Sequence, residues 1–219
     1  MHIALIGATG FVGSAVLDEL LSRGHHVTAV QRQPQRVAAR ERLRTVAADV
    51  LDAAGLAHAV EGHELVVSAY NPGWDHPELY ARYLDGARAI VAATRRAGVP
   101  RLIVVGGAGS LYVAPGVQLV DTPQFAAAVP PNIVPGAKAA RDHLTELQRE
   151  VDPPVWTFLS PPAMLAPGER TGHYRLGADE LLMDGEHPAG ISVADLAVAL
   201  VDEAERPRHP RQRYTVAAG

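Results

Sequence analysis

The 219-residue chain has no cysteine. That excludes a disulfide framework, a zinc ribbon, an iron–sulfur cluster and a cysteine nucleophile. Lysine is nearly absent as well: among 20 basic residues only Lys138 is lysine, and the others are arginine. A codon bias toward arginine explains this as well as a function does. No charge sign dominates, since 20 basic residues stand against 24 acidic ones for a net charge of −4, so there is no global pull toward nucleic acid. No run of about 18 apolar residues is present to span a bilayer. The opening MHIALIGATG has neither a basic n-region nor a small-residue cleavage site, so a soluble cytoplasmic protein is expected. The 10 histidines form no HxxxH or HxH pair, and no metal site is expected. At 47% hydrophobic residues and a mean hydropathy of +0.02, the chain is neither disordered nor a multi-pass membrane protein.

What is present is an alternation of strands and helices. Residues 2–7 (HIALIG) form a short apolar run ending in glycine, as in a fully buried parallel strand. Phe11, Val12, Ala15, Val16, Leu20 and Leu21 then recur at helical spacing until Gly24. Residues 26–30, 43–49, 64–70, 101–107 and 155–161 read as further strands. Residues 51–60, 79–96 and 137–150 read as the helices between them. A glycine- and proline-rich stretch spans 108–135. Beyond Pro161 the chain reads as irregular, with a helix over 191–205 capped by Ser192 and a last strand over 211–217. Strands separated by helices require right-handed crossovers and a parallel sheet covered on both faces. The expected fold is therefore α/β, a doubly wound Rossmann sheet. It forms a single domain over 1–219, and residues from about 162 to 219 form a small irregular part on the substrate side.

The strongest motif is GATGFVG, between the first strand and the first helix. Gly7 permits a tight turn, Gly10 lets the backbone approach a pyrophosphate, and Gly13 lets the helix pack on the sheet. The helix N-terminus then offers free N–H groups to the phosphates. The end of the second strand reads Val30-Gln31-Arg32-Gln33-Pro34-Gln35-Arg36. An NAD site places a carboxylate there for the ribose 2′-hydroxyl. None is present, and Arg32, with Arg36 as a second contact, suits a 2′-phosphate. NADP(H) is therefore expected over NAD(H), and the Thr9 hydroxyl is a further contact. After the third strand, Asp49 can accept from the adenine amine and Val50 can pack on the ring. Capping the next helix is the competing role for Asp49.

GATGFVG, the arginine after strand two, Asp49-Val50, the SAY at 68–70 and VVGGAGSL at strand five together resemble the atypical short-chain dehydrogenase/reductase superfamily. The nearest group is its NAD(P)H-binding, NmrA-like and biliverdin reductase B-like proteins. The resemblance covers almost the whole chain. It implies an NADPH-dependent oxidoreductase acting on a small molecule, or else a non-catalytic NADP(H)-sensing protein, as a monomer or homodimer without nucleic-acid or membrane partners. It also adds Phe11, Val12, Ala69, Tyr70, Gly106 and Lys138 to the expected cofactor contacts.

Orthodox members of that superfamily use a Tyr and a Lys four residues later, with a Ser near the end of strand five. Four residues after Tyr70, Tyr80, Tyr83, Tyr112, Tyr174 and Tyr214 stand Trp74, Leu84, Ala87, Gly116, Ala178 and Ala218. Four residues before Lys138 stands Val134, which cannot donate a proton. The dyad is absent. Ser110 remains as a contact for a substrate carbonyl and Lys138 as a contact for the nicotinamide ribose. Hydride transfer without an acid suits an already electrophilic, conjugated acceptor such as a flavin or quinone. The expected acceptor pocket comprises Asn71, Trp74, Tyr112, Pro161, Pro162, Met164, His173 and Tyr174.

Overall fold

Runs such as HIALI and RLIVV can be buried on both faces at once. In the computed structural model, which describes residues Met1–Gly219, they lie at the centre of one sheet. Its strands are β1 (His2–Ile6), β2 (His26–Gln31), β3 (Leu43–Ala47), β4 (Leu65–Ser68), β5 (Arg101–Val105), β6 (Val155–Ser160), β7 (Tyr174–Gly177) and β8 (Gln212–Ala218). Their spatial order is β3-β2-β1-β4-β5-β6-β8-β7. Every pairing is parallel except β7 with β8. Ile6 lies level with Val30 on one side and Ser68 on the other. The carboxyl ends of β1, β2 and β4 therefore stop together, and strand order reverses there. Open α/β sheets form a ligand crevice at such a point.

Successive residues of β1 face opposite ways. Ile3 and Leu5 join a core with α1 (Phe11–Ser22) and α6 (Val193–Glu205). Ala4 and Ile6 join a second core with α2 (Ala53–Val60), α3 (Leu79–Arg96) and α5 (Val134–Arg149). Each fully buried Ile or Leu contributes about 1.5–3 kcal/mol. A short helix, α4 (Pro123–Ala128), and a ribbon of Tyr112–Ala114 with Val117–Gln118 occupy the stretch that reads as a loop in the sequence. No helix is long and apolar enough to cross a membrane.

Boundaries shift for local reasons. α5 begins at Val134, earlier than the expected 137, because Pro135 is tolerated in a first turn. α2 begins after Asp52, whose side chain accepts from the Gly55 N–H at 3.1 Å. Ser192 caps α6 by accepting from the Asp195 N–H at 3.0 Å. Residues Tyr174–Gly177, expected to be loop, form the edge strand β7. The segment leading into it is pinned by Asp195, which accepts from the Thr171 and Gly172 N–H groups at 2.9 and 2.7 Å.

Opposite the crevice, Glu19 is 5% exposed and holds Arg23 and Arg170, each at 2.7 Å. The Arg170 hydrogen bond keeps its carboxyl below the usual range. Arg23 also reaches Asp202 at 2.6 Å and Glu205 at 2.9 Å, tying α1 to α6.

His143 is the costly feature of the second core. It lies between the rings of Tyr83 and Phe158, at 6.3 and 5.9 Å, and neither ring nitrogen has a partner. Burial lowers its pKa to about 4. The unfolded chain then binds a proton near pH 6.5 that the folded chain refuses. Stability is complete above about pH 6.5 and falls as pH drops toward about 4, by about 2 kcal/mol at pH 5. His143→Phe should raise the melting temperature by several degrees at pH 5 and by less at pH 7. Thermal melts at the two pH values check this; an equal or negative change at both would overturn it.

Candidate functional site

The crevice is a cavity of about 430 Å³ at the carboxyl ends of β1, β2 and β4. Its floor is the turn from β1 to α1. Gly7 has φ +85°, and a Cβ there would run into the Ala69 carbonyl. A Cβ on Gly13 would run into the Gly7 carbonyl oxygen. These two glycines are required by the protein's own packing. Gly10 is different: its Cβ would meet nothing closer than Gly7 O at 3.4 Å, and it lines the cavity. The space kept open at Gly10 faces the ligand side. α1 starts directly after Gly10 with no side-chain cap, and its first main-chain bond runs from the Ser14 N–H to Gly10 O. The N–H groups of Phe11, Val12 and Gly13 are thus left for an anion. This cradle fits a dinucleotide pyrophosphate.

The walls carry charge. Arg32 and Arg36 line the cavity from the segment after β2, where Pro34–Arg36 make a single 3-10 turn. Arg82 lines it from α3. None of these three guanidinium groups forms an ion pair within the chain. Asp49 is the only carboxylate in the lining. It accepts from the Leu51 N–H at 3.0 Å, while Asp52 caps α2, so the competing role for Asp49 falls to its neighbour. Thr9, Val50, Ala69, Tyr70 and Asn71 complete the expected lining. Tyr70 lays its ring over Gly86 and donates to the Arg82 carbonyl at 3.2 Å. Burial raises its hydroxyl pKa. Gln31, Gln33, Leu51, Pro72, His76 and Arg82 also line the cavity without having been expected. Gln31, Gln33 and Leu51 flank expected positions after β2 and β3, whereas Pro72, His76 and Arg82 reach the cavity because the chain after β4 folds back over the crevice, which strand alternation and motif spacing do not reveal.

Other expected residues lie elsewhere. Lys138 is exposed and has no partner. At 100° per residue it points away from Gly136, Ala140, His143 and Leu147, the buried face of α5. It is not among the residues that line the crevice. Ser110 is fully buried, with its hydroxyl 3.0 Å from Gly107 O and 2.9 Å from Ser160 Oγ. It ties the turn after β5 instead of presenting itself to a substrate. Gly106 is a glycine because the Phe158 ring lies against it. Tyr112 sits under Arg213, whose guanidinium carbon is 5.2 Å from the ring centre, in a groove shared with Asp179 and Met183. Tyr174 donates to Asp202 at 2.6 Å and packs on the α1–α6 core. His173 lies at the end of β8, beside Gly219. Tyr112, His173 and Tyr174 therefore do not join Asn71 at the cavity, because β7 and the 112–118 ribbon carry them to the far edge of the sheet. Pro161 and Pro162 are buried. Trp74 is near Gly136 of α5, whose Cβ would lie 2.9 Å from its ring.

Comparison with known proteins agrees with this geometry. A family described as NAD(P)H-binding matches residues 7–206. The uncharacterised protein YwnB of Bacillus subtilis (strain 168) is 37% identical over 99% of this chain and 98% of its own length. The structure of a candidate epimerase from Bacteroides thetaiotaomicron is 41% identical, with a TM-score of 0.90 over 99% of this chain and 96% of that one. A candidate NADH-flavin reductase from Streptococcus pneumoniae TIGR4 is 30% identical, with a TM-score of 0.84 over 100% of both chains.

Two substitutions separate packing from ligand binding. Gly10→Ala should keep the melting temperature within a few degrees yet lose NADPH binding, whereas Gly13→Ala should lose both through its backbone clash. Melts and nucleotide titrations on the two variants check this; unimpaired binding by a folded Gly10→Ala would remove the ligand role of Gly10. Lys138→Met should leave NADPH affinity and the melting temperature unchanged, and a raised Kd would place Lys138 back at the site.

Proposed function

The chain belongs to the NAD(P)H-binding family and is an oxidoreductase of that fold; we propose that it uses NADPH in preference to NADH and reduces a planar, conjugated acceptor such as a flavin or quinone. The observation that carries the nucleotide preference is the pair of unpaired arginines, Arg32 and Arg36, after a β2 that ends in Gln31 and not in a carboxylate. Gln31 cannot repel a 2′-phosphate, and a guanidinium can hold one bidentately. The Streptococcus pneumoniae relative is described for NADH, so the preference rests on this chain's own residues.

When bound, the nicotinamide supplies a hydride. The chain's part is to position. The free N–H groups at the start of α1 hold the pyrophosphate, Arg32, Arg36 and the Thr9 hydroxyl hold the 2′-phosphate, and Asp49 and Val50 meet the adenine. The dyad's proton donor is absent: no tyrosine has a lysine four residues on, Lys138 is exposed on α5, and Ser110 is sealed in its turn. An alkoxide formed without an acid is a poor intermediate. A reduced flavin or quinone instead takes its proton from water.

The surface beside the crevice suits such an acceptor. Phe11, Trp74 and Met164 are 50%, 47% and 61% exposed. They follow the carboxyl ends of β1, β4 and β6, all on one edge of the parallel sheet. Exposed large apolar side chains on that edge can cover a flat ring system. Asn71 offers a polar group beside them.

Arg32→Ala should raise the Kd for NADPH about 10–100-fold and that for NADH no more than about twofold, the loss of one charge-assisted phosphate contact. Equal losses would make Arg32 structural. NADPH oxidation followed at its absorbance band should be seen with flavins or quinones and not with simple ketones. Tight NADPH binding with no turnover on any acceptor would favour the NADP(H)-sensing reading instead.

A further inference from the structure

The glycine turn, the β2 arginines and the β3 turn account for a phosphate-binding floor and one wall. They do not account for His76, which lines the same cavity from the segment between β4 and α3, or for Arg82, which lines it from the start of α3. The Glu78 N–H donates to His76 Nδ1 at 3.1 Å. That bond keeps Nδ1 unprotonated, so the imidazole proton sits on Nε2 and the free edge of the ring is a donor. Arg82 stands in the first turn of α3, where its carbonyl accepts from Tyr70 and its guanidinium has no carboxylate partner. Asp49 shares this cavity and has spent one oxygen on the Leu51 N–H. Its other oxygen is an acceptor. Val50 and Leu51 add apolar surface beside it.

An acceptor, a fixed donor and a planar cation around apolar surface match one kind of ligand. Adenine presents an amine donor next to ring-nitrogen acceptors and offers a flat face. Hypoxanthine, of nearly the same shape, presents a carbonyl acceptor next to a ring N–H donor. Against Asp49 and His76 the first pattern pairs and the second opposes like with like, which leaves polar groups facing each other without a hydrogen bond. A guanidinium stacks on either base, because stacking does not read the edge.

Resting on the reading of the cavity as a dinucleotide site, we propose that His76 and Arg82 form a second, base-reading wall. His76 donates to a ring nitrogen of adenine and gives selectivity over hypoxanthine. Arg82 stacks on the base and gives affinity without selectivity. The wall acts on the base and is indifferent to the 2′-phosphate, which belongs to Arg32 and Arg36.

The test is a set of binding titrations with NADPH, NADH and their two hypoxanthine analogues, read by ligand fluorescence or calorimetry. Thermal melts confirm that each variant is folded. The wild type should bind the hypoxanthine forms about tenfold or more weakly than the adenine forms. His76→Ala should weaken NADPH and NADH alike and collapse that ratio to about two, while His76→Gln, whose amide N–H can donate from a similar position, should restore much of it. Arg82→Ala should weaken all four nucleotides about five- to tenfold and leave the ratio intact. An unchanged ratio in His76→Ala overturns the role of His76. A loss confined to NADPH and its hypoxanthine analogue in Arg82→Ala moves Arg82 to the 2′-phosphate and overturns its role here. Arg32→Ala separates the two readings: if it weakens NADPH and NADH equally the NADPH preference fails, and the base ratio measured with NADH still decides the present proposal. A wild type that binds none of the four overturns both.

Discussion

The fold turns on one backbone contact, α1 lying directly on the Gly7 carbonyl. That approach is possible only because residue 13 has no Cβ. Gly7 itself is wedged against the Ala69 carbonyl at the end of β4 with a left-handed φ of +85°. Three pieces of main chain thus meet with no side chain between them. Their meeting sets the height of the α1 N-terminus relative to β1 and β4. Ile6 then lies level with Val30 and Ser68, and the cavity opens where the three strands stop. A larger residue at either position would lift α1 off the sheet, and with it the N–H groups that make the floor an anion site.

Electrostatics are arranged around this point by where arginines find partners. At the opposite end of the sheet Arg23 is shared among Glu19, Asp202 and Glu205, and at the far edge Arg213 is held by Asp179. Those guanidinium groups are neutralised in place and hold elements together. Arg32, Arg36 and Arg82 have no such partners and converge on one cavity with a single carboxylate. A chain with a net charge of −4 therefore carries a locally cationic crevice. The net charge says little about the ligand; the distribution of unpaired cations says more. The scarcity of lysine has a plainer meaning here. The one lysine lies exposed on the outer face of α5 and outside the cavity lining, where three arginines stand instead.

The parts of the site legible in the sequence are those whose chemistry is local. A glycine turn between a buried strand and a helix is read from spacing, and an arginine in place of a carboxylate is read from a few residues after β2. The remainder depends on distant segments. Whether Ser110 faces a substrate or a turn is decided by Ser160, fifty positions on. Tyr174 is drawn to Asp202 of α6 because residues 174–177 add an antiparallel edge strand. Its four residues, YRLG, are too short a run for their alternation to announce a strand. Lys138 shows a different limit: a motif position fixes a place along a helix, and the direction of its side chain depends on rotation about the axis, which the buried set Gly136, Ala140, His143 and Leu147 decides. His76 and Arg82 reach the cavity only because the segment after β4 folds back, and no spacing rule encodes that return.

The inward face of α5 is given over to packing. The positions where orthodox superfamily members carry an acid and its lysine are held here by Val134 and Lys138, and the face of α5 turned away from them presents Gly136, Ala139 and Ala140, all buried. These small residues let α5 approach α3 closely, and Tyr83, Leu84 and Ala87 fill the interface. One turn further in comes His143, the sole ionisable group on that face. It has no hydrogen-bond partner, and burial keeps it neutral far below physiological pH. A proton cannot leave or reach it without a path of donors, and none adjoins it. The inward face of α5 thus contributes packing to the fold and no side chain to the lining of the crevice.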